Sequence, residues 1–122
     1  MKLKGRAFIS GPYRGDLTEA CIAANLAKAR LVAQEVTRLG WVPVCPNLMF
    51  TEFAELQDWD FWLEASLGLM VTCDILVLVP GWRNSTGVAG EIKRAVELFM
   101  PVFKSSDDLA VYEADLMGIA VL

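Results

Sequence analysis

A chain of 122 residues with no histidine must do any acid–base or nucleophilic work with carboxylates, tyrosine, lysine or cysteine. Ser-His-Asp and Cys-His chemistry are excluded, as are histidine-ligated metals. Two segments concentrate residues that could act. Residues 80–91 read Pro-Gly-Trp-Arg-Asn-Ser-Thr-Gly-Val-Ala-Gly-Glu. Ser85 or Thr86 caps a helix whose first turns hold Gly87 and Gly90, each less favourable there than alanine. Small residues let a ligand approach the backbone, where free N–H groups and the helix dipole favour an anion. The plainer alternative is a cap with close packing. Glu91 carries the same two readings. It is either a carboxylate gaining from the dipole, or a reactive group. Its place between Val88 and Ile92, on the helix's inner stripe, aims it along the sheet edge towards the first loop.

That first loop, residues 11–16, reads Gly-Pro-Tyr-Arg-Gly-Asp. It lacks the Gly-x-Gly-x-x-Gly dinucleotide pattern, so NAD is poorly supported. Gly11 and Pro12 can make a plain turn; Tyr13 and Arg14 can stack on a base or pair with a phosphate.

The elements that must position these residues alternate strand and helix. Residues 6–10, 41–45, 74–79 and 101–103 read as strands. Residue Asp16, with Glu19 three places on, looks like a capping box opening a helix striped by Ile22, Leu26, Ala29, Ala33 and Val36 and stopped at Gly40. Residues 47–57 read as a loop with exposed aromatics Phe50 and Phe53. Residues 58–72 form a helix that is apolar nearly all round, through Trp59, Phe61, Trp62, Leu63, Leu67, Leu69 and Met70, which suggests a subunit interface. Residues 85–99 form a helix with an inner stripe of Val88, Ile92, Ala95 and Phe99. A last helix over 107–117 precedes an apolar tail, 119–122.

This order predicts one α/β domain over 1–122, a three-layer sandwich. Its flavodoxin- or Rossmann-like parallel sheet has four to five strands, with helices on both faces. Ligands in such folds collect beyond the carboxyl ends of the strands, where strand order reverses. Both unusual loops belong at that place.

Composition sets the outer limits. With 55% hydrophobic and 21% charged residues, the chain has ample material for a core and little resemblance to a disordered one. A net charge of −4 argues against a groove for a nucleic-acid polymer, though a single nucleotide can be held by a few N–H groups. Cys21, Cys45 and Cys73 are unevenly spaced and read as free thiols of a reducing cytosol, with no metal site. The apolar run 75–79 is too short for a bilayer, and no long apolar segment follows the basic start. No membrane association is expected, and a cytoplasmic location is.

One resemblance draws these features together. Residues 9–15, Asn25, Gly40-Trp41-Val42-Pro43, Pro46, Cys73-Asp74, Pro80-Gly81-Trp82 and Ser85-x-Gly87-x-x-x-Glu91 resemble the nucleoside 2-deoxyribosyltransferase superfamily, in its small uncharacterised bacterial and phage branch. The likeness covers roughly residues 6–103. It implies chemistry on the N-glycosidic bond of a nucleoside or nucleotide, by transfer or hydrolysis, with Glu91 as nucleophile and no cofactor. It also implies a binding set of Gly11, Tyr13, Arg14, Asp74, Trp82, Ser85, Thr86 and Gly87, and a homo-oligomer joined through the aromatic helix 58–72. Two positions depart from active members: Ser66 stands where they carry Asp, and Phe8 where some carry an orienting Tyr. The alternative is therefore a nucleotide-sensing module of the same fold that does not cleave its ligand.

Overall fold

The computed structural model describes residues 2–15 and 17–118. Four parallel strands, β1 (Gly5–Ser10), β2 (Trp41–Val44), β3 (Ile75–Leu78) and β4 (Val102–Phe103), lie in the order β2-β1-β3-β4. The alternation of strand and helix dictates this, because parallel neighbours need a crossover that only a helix-length segment can make. Five α-helices complete the chain: α1 (Glu19–Arg38), α2 (Pro46–Phe50), α3 (Trp59–Met70), α4 (Thr86–Glu97) and α5 (Ser106–Leu116).

Side-chain alternation along the strands splits the core in two. Ala7 and Ile9 of β1 and Ile75 and Val77 of β3 face one way, onto Ala29, Val32 and Val36 of α1 and Leu109 of α5. Phe8, Val44, Leu76 and Leu78 face the other way, onto Met70 of α3 and Val88 and Ala95 of α4. All four residues of β3 are buried, as expected of a strand covered on both faces. The fold is a three-layer α/β sandwich. No helix of the described residues is long and apolar enough to cross a membrane.

Strand order sets the place of the site. The chain steps from β1 outwards to β2, then crosses back to β3 on the other side of β1. A crevice opens between the carboxyl ends of β1 and β3, where the direction of winding reverses.

Several local expectations change. The proposed cap Asp16 lies outside the described residues; Thr18 caps α1, its hydroxyl accepting from Cys21 N at 3.1 Å. The buried face of α1 is Asn25, Ala29, Val32 and Val36, a stripe turned slightly from the expected one. Leu39 is its C-cap, and Gly40 follows at φ 96°. Residues 47–57 are not a loop. Pro46 opens α2, since its missing N–H would be unpaired at a first helical position anyway, and a 3-10 segment, Thr51–Leu56, continues from it.

Helix α4 ends at Glu97, so Phe99 does not extend its inner stripe. Phe99 takes a left-handed φ of 57°, and its ring is 95% exposed. Helix α3 is less enclosed than its composition suggests, with Trp59 39% and Phe61 45% exposed. Helix α5 begins one residue earlier than expected, capped by the Ser105 hydroxyl, which accepts from Asp108 N. The tail 119–122 lies outside the described residues.

Candidate functional site

Beyond the carboxyl ends of β1 and β3 lies a cavity of about 310 Å³, large enough for a small organic ligand. Its walls come from all three crossovers: the loop after β1, the helical segment after β2 with the start of α3, and the start of α4.

The deepest polar group is the Glu91 carboxyl, on the second turn of α4. It is 9% exposed, and its Oε1 accepts a 2.7 Å hydrogen bond from the Ser10 hydroxyl. Burial pushes the Glu91 carboxyl up to about 7 from an ordinary 4.5, while the Ser10 hydrogen bond pulls the other way. Among the described residues no Lys or Arg pairs with it. A carboxylate so placed is half ionised near neutrality and poorly solvated.

The β1 loop closes tightly over the crevice. A Cβ on Gly11 would lie 2.6 Å from the Val79 Cβ, so only glycine lets the chain turn here against the end of β3. Three side chains hold this loop. Asn47 of α2 donates from Nδ2 to the carbonyls of Gly11 (3.0 Å) and Pro12 (3.3 Å). Asn25 of α1 donates to the Tyr13 carbonyl at 3.1 Å, and the Tyr13 hydroxyl pairs with Thr51 Oγ1 at 2.9 Å. The segment after β2 thus positions the loop after β1, which is why its helical form matters.

The remaining wall is aromatic. Trp62 is fixed by donation from Nε1 to the Ala54 carbonyl at 3.1 Å and packs on Phe50, with ring centroids 4.9 Å apart. Trp59 bridges the mouth. One contact is with α4, where a Cβ on Gly87 would sit 3.4 Å from its ring. The other is with Arg14, whose guanidinium lies 4.2 Å from the ring centroid. Arg14 makes no ion pair among the described residues. The Ser85 hydroxyl caps α4 by accepting from Val88 N at 3.2 Å, so its capping and wall roles coexist.

Of the residues singled out in the sequence, Gly11, Tyr13, Arg14, Ser85, Gly87 and Glu91 share this cavity. Three others do not line it. Asp74 precedes β3 and therefore sits at the opposite end of the sheet, where its Oδ2 accepts from Arg6 N at 2.8 Å. Trp82 packs against the α3/α4 side of the core, with the Arg83 guanidinium 4.4 Å from its ring centroid. Thr86 is the first residue of α4 and is absent from the wall.

Ser66 does line the cavity. So does Asp58, which caps α3 through Oδ1 on Phe61 N at 3.0 Å and was not singled out as a site residue. Ser10 falls within the motif of residues 9–15 but was given no site role, and nothing local in the sequence marks Asn47. Among the described residues no group of three or more Cys, Asp or Glu is arranged to hold a metal ion.

Below the loop, Cys45 is buried beside this charge. Burial pushes its thiol up to about 11, the backbone N–H groups of Leu48 and Asn47 act against that rise, and the negative charge of Glu91 adds to it.

No curated protein and no solved structure matches the chain. A family model described as Domain of unknown function (DUF7768) matches residues 6–105, from β1 to the start of the last helix, and the chain belongs to that family.

Proposed function

We propose that the cavity is an active site acting on the N-glycosidic bond of a nucleoside or nucleotide, with Glu91 as nucleophile. The observation that carries this reading is the buried Glu91 carboxyl in the wall of a cavity that also holds Tyr13, Phe50, Trp59 and Trp62, its one hydrogen-bond partner the Ser10 hydroxyl and no Lys or Arg paired with it among the described residues. A poorly solvated carboxylate is a competent nucleophile, and it stabilises the positive charge that develops on a sugar as its glycosidic bond breaks. One carboxylate oxygen bonds to the anomeric carbon, the C–N bond breaks with its electron pair going to the base, and the base takes up a proton from water. Water then cleaves the glycosyl ester and regenerates Glu91, or a second base accepts the sugar. The aromatic wall suits the flat face of a base, since stacking on an aromatic side chain contributes about 1–3 kcal/mol per base. The resemblance to the nucleoside 2-deoxyribosyltransferases supports the same chemistry.

The test is incubation with nucleosides and their 5′-monophosphates, followed by chromatography for free base. Release by the native chain and its loss in Glu91→Gln support the reading; release that survives Glu91→Gln removes Glu91 from the role.

A second reading is a nucleotide sensor that binds without cleaving. It is favoured by one observation, that the cavity wall carries Ser66 where active members of the resembled superfamily carry a carboxylate. Calorimetric titration showing saturable nucleotide binding with no product after long incubation would select it.

A further inference from the structure

Glu91 is reached by one hydroxyl, and that hydroxyl is held with unusually little freedom. We propose that Ser10 is a positioning residue for Glu91: its Oγ–H fixes carboxylate oxygen Oε1 and favours the charged form, leaving Oε2 for the ligand. This rests on the reading of Glu91 as the reactive group.

The geometry carries the argument. Ser10 is the last residue of β1, 1% exposed, and its Oγ lies 2.7 Å from Glu91 Oε1 across 81 residues of sequence. Its backbone cannot swing. Its carbonyl accepts from Val79 N at 2.9 Å, it stands opposite Leu78 in the parallel ladder, and Gly11 is pressed against Val79 immediately afterwards. On the other side, Glu91 belongs to a twelve-residue helix capped by Ser85. Both ends of the hydrogen bond are therefore built on regular structure, which holds a reactive group more tightly than a loop would.

A buried hydroxyl is unfavourable unless it is bonded, and no other partner of the Ser10 hydroxyl is found among the described residues. The strand alternation alone would accept an apolar residue here. Phe8, two residues earlier on the same face, is fully buried in the core. A donor aimed at a carboxylate stabilises its charged form, so Ser10 opposes the desolvation that burial imposes. It also ties down one of two otherwise equivalent oxygens.

The experiment uses the whole chain and needs no substrate for its first arm. The side-chain carboxyl of Glu91 is followed by carbon NMR in glutamate-labelled protein and assigned by its disappearance in Glu91→Gln. In Ser10→Ala its titration midpoint moves up by about one unit, the size expected for losing a charge-assisted hydrogen bond. Ser10→Thr keeps the donor and restores the native midpoint, and Ser10→Cys, a weaker donor, falls between the two. A midpoint unchanged in Ser10→Ala, or the same in the Ala and Thr variants, overturns the proposal.

The second arm is turnover. Ser10→Ala lowers kcat about fivefold at pH 7, with KM little changed, and the loss shrinks at pH 9, where the carboxyl is ionised in both chains. An equal loss at every pH would mark Ser10 as merely structural and overturn the assignment. Failure of the native chain to release base from any nucleoside would instead strike the proposed reaction, and the titration result would still decide the role of Ser10.

Discussion

Asp74 and Glu91 lie at opposite ends of the same sheet and hold their carboxylates in opposite ways. Asp74 stands at the amino end of β3, exposed, and accepts from the backbone N–H of Arg6. Water solvates the rest of it, and the bond ties the start of β1 to the start of β3. Glu91 faces the carboxyl end of β1, buried, with one hydroxyl for company and burial raising its proton affinity. The first carboxylate is exposed to water, and the second is buried with a single hydroxyl donating to it. In a parallel α/β sheet the carboxyl end is also where the crossovers leave room for a ligand. On the proposed reading, burial at the ligand end is what sets the reactive carboxylate apart from the structural one.

The sharpest way to break this contrast is to neutralise each carboxylate in turn. Glu91→Gln should abolish base release, by on the order of a thousandfold or more, as removal of a covalent nucleophile does. Asp74→Asn should leave turnover within about twofold of native, because it touches nothing in the cavity. Equal loss in the two variants would erase the distinction.

A second test reads the same difference through stability. Glu91 binds its proton more tightly in the folded state, about 7, than in the unfolded chain, near 4.5. Between those values the folded state holds a proton that the unfolded state has released. Stability from this group is therefore full below about pH 4.5, falls as pH rises towards 7, and is level beyond. The total is on the order of 3 kcal/mol. Thermal melts of the native chain and Glu91→Gln should diverge between pH 5 and pH 8, with the variant the more stable at pH 8. Parallel curves would mean that Glu91 is better solvated than its burial implies.

The cavity wall gives a smaller effect. Trp59→Ala should weaken nucleoside binding about tenfold by calorimetry, the lower range of base–aromatic stacking. Trp82→Ala should leave affinity unchanged, since Trp82 lies outside the cavity. The smallest effect belongs to the other end of the sheet. Asp74→Ala should lower stability by about 1 kcal/mol in chemical denaturation, the worth of one hydrogen bond at an exposed site. A larger loss there would show that Asp74 anchors more of β1 than one bond suggests.

The sheet, its helices and the end of the sheet that carries the cavity were legible because periodicity and chain order dictate them. The direction of Glu91 was legible because its place beside the inner stripe of α4 made it point at β1, while its proposed role came only from the family resemblance. What stayed hidden was whatever depends on distant partners. Ser10 is an ordinary serine until its helix partner, 81 residues on, is placed against it. Residues 46–56 lack a helical stripe long enough to read, so the segment whose Asn47 holds the Gly11 loop passed for a loop itself. Asp74 and Trp82 were drawn in by a shared motif, but sequence neighbours of a strand divide between its two ends. Phe99 continued the apolar spacing of α4 by one turn, and the chain had already left the helix two residues earlier.

Cys45 carries a consequence of a different kind. Thiolates, not thiols, are what peroxides and alkylating reagents attack, and a thiol held near 11 is almost wholly protonated in neutral solution. Buried and set beside a negative charge, Cys45 is insulated from oxidative damage by the same kind of burial that raises the Glu91 carboxyl. A reagent such as iodoacetamide should therefore spare Cys45 for as long as the chain stays folded, and its modification would report unfolding around the cavity.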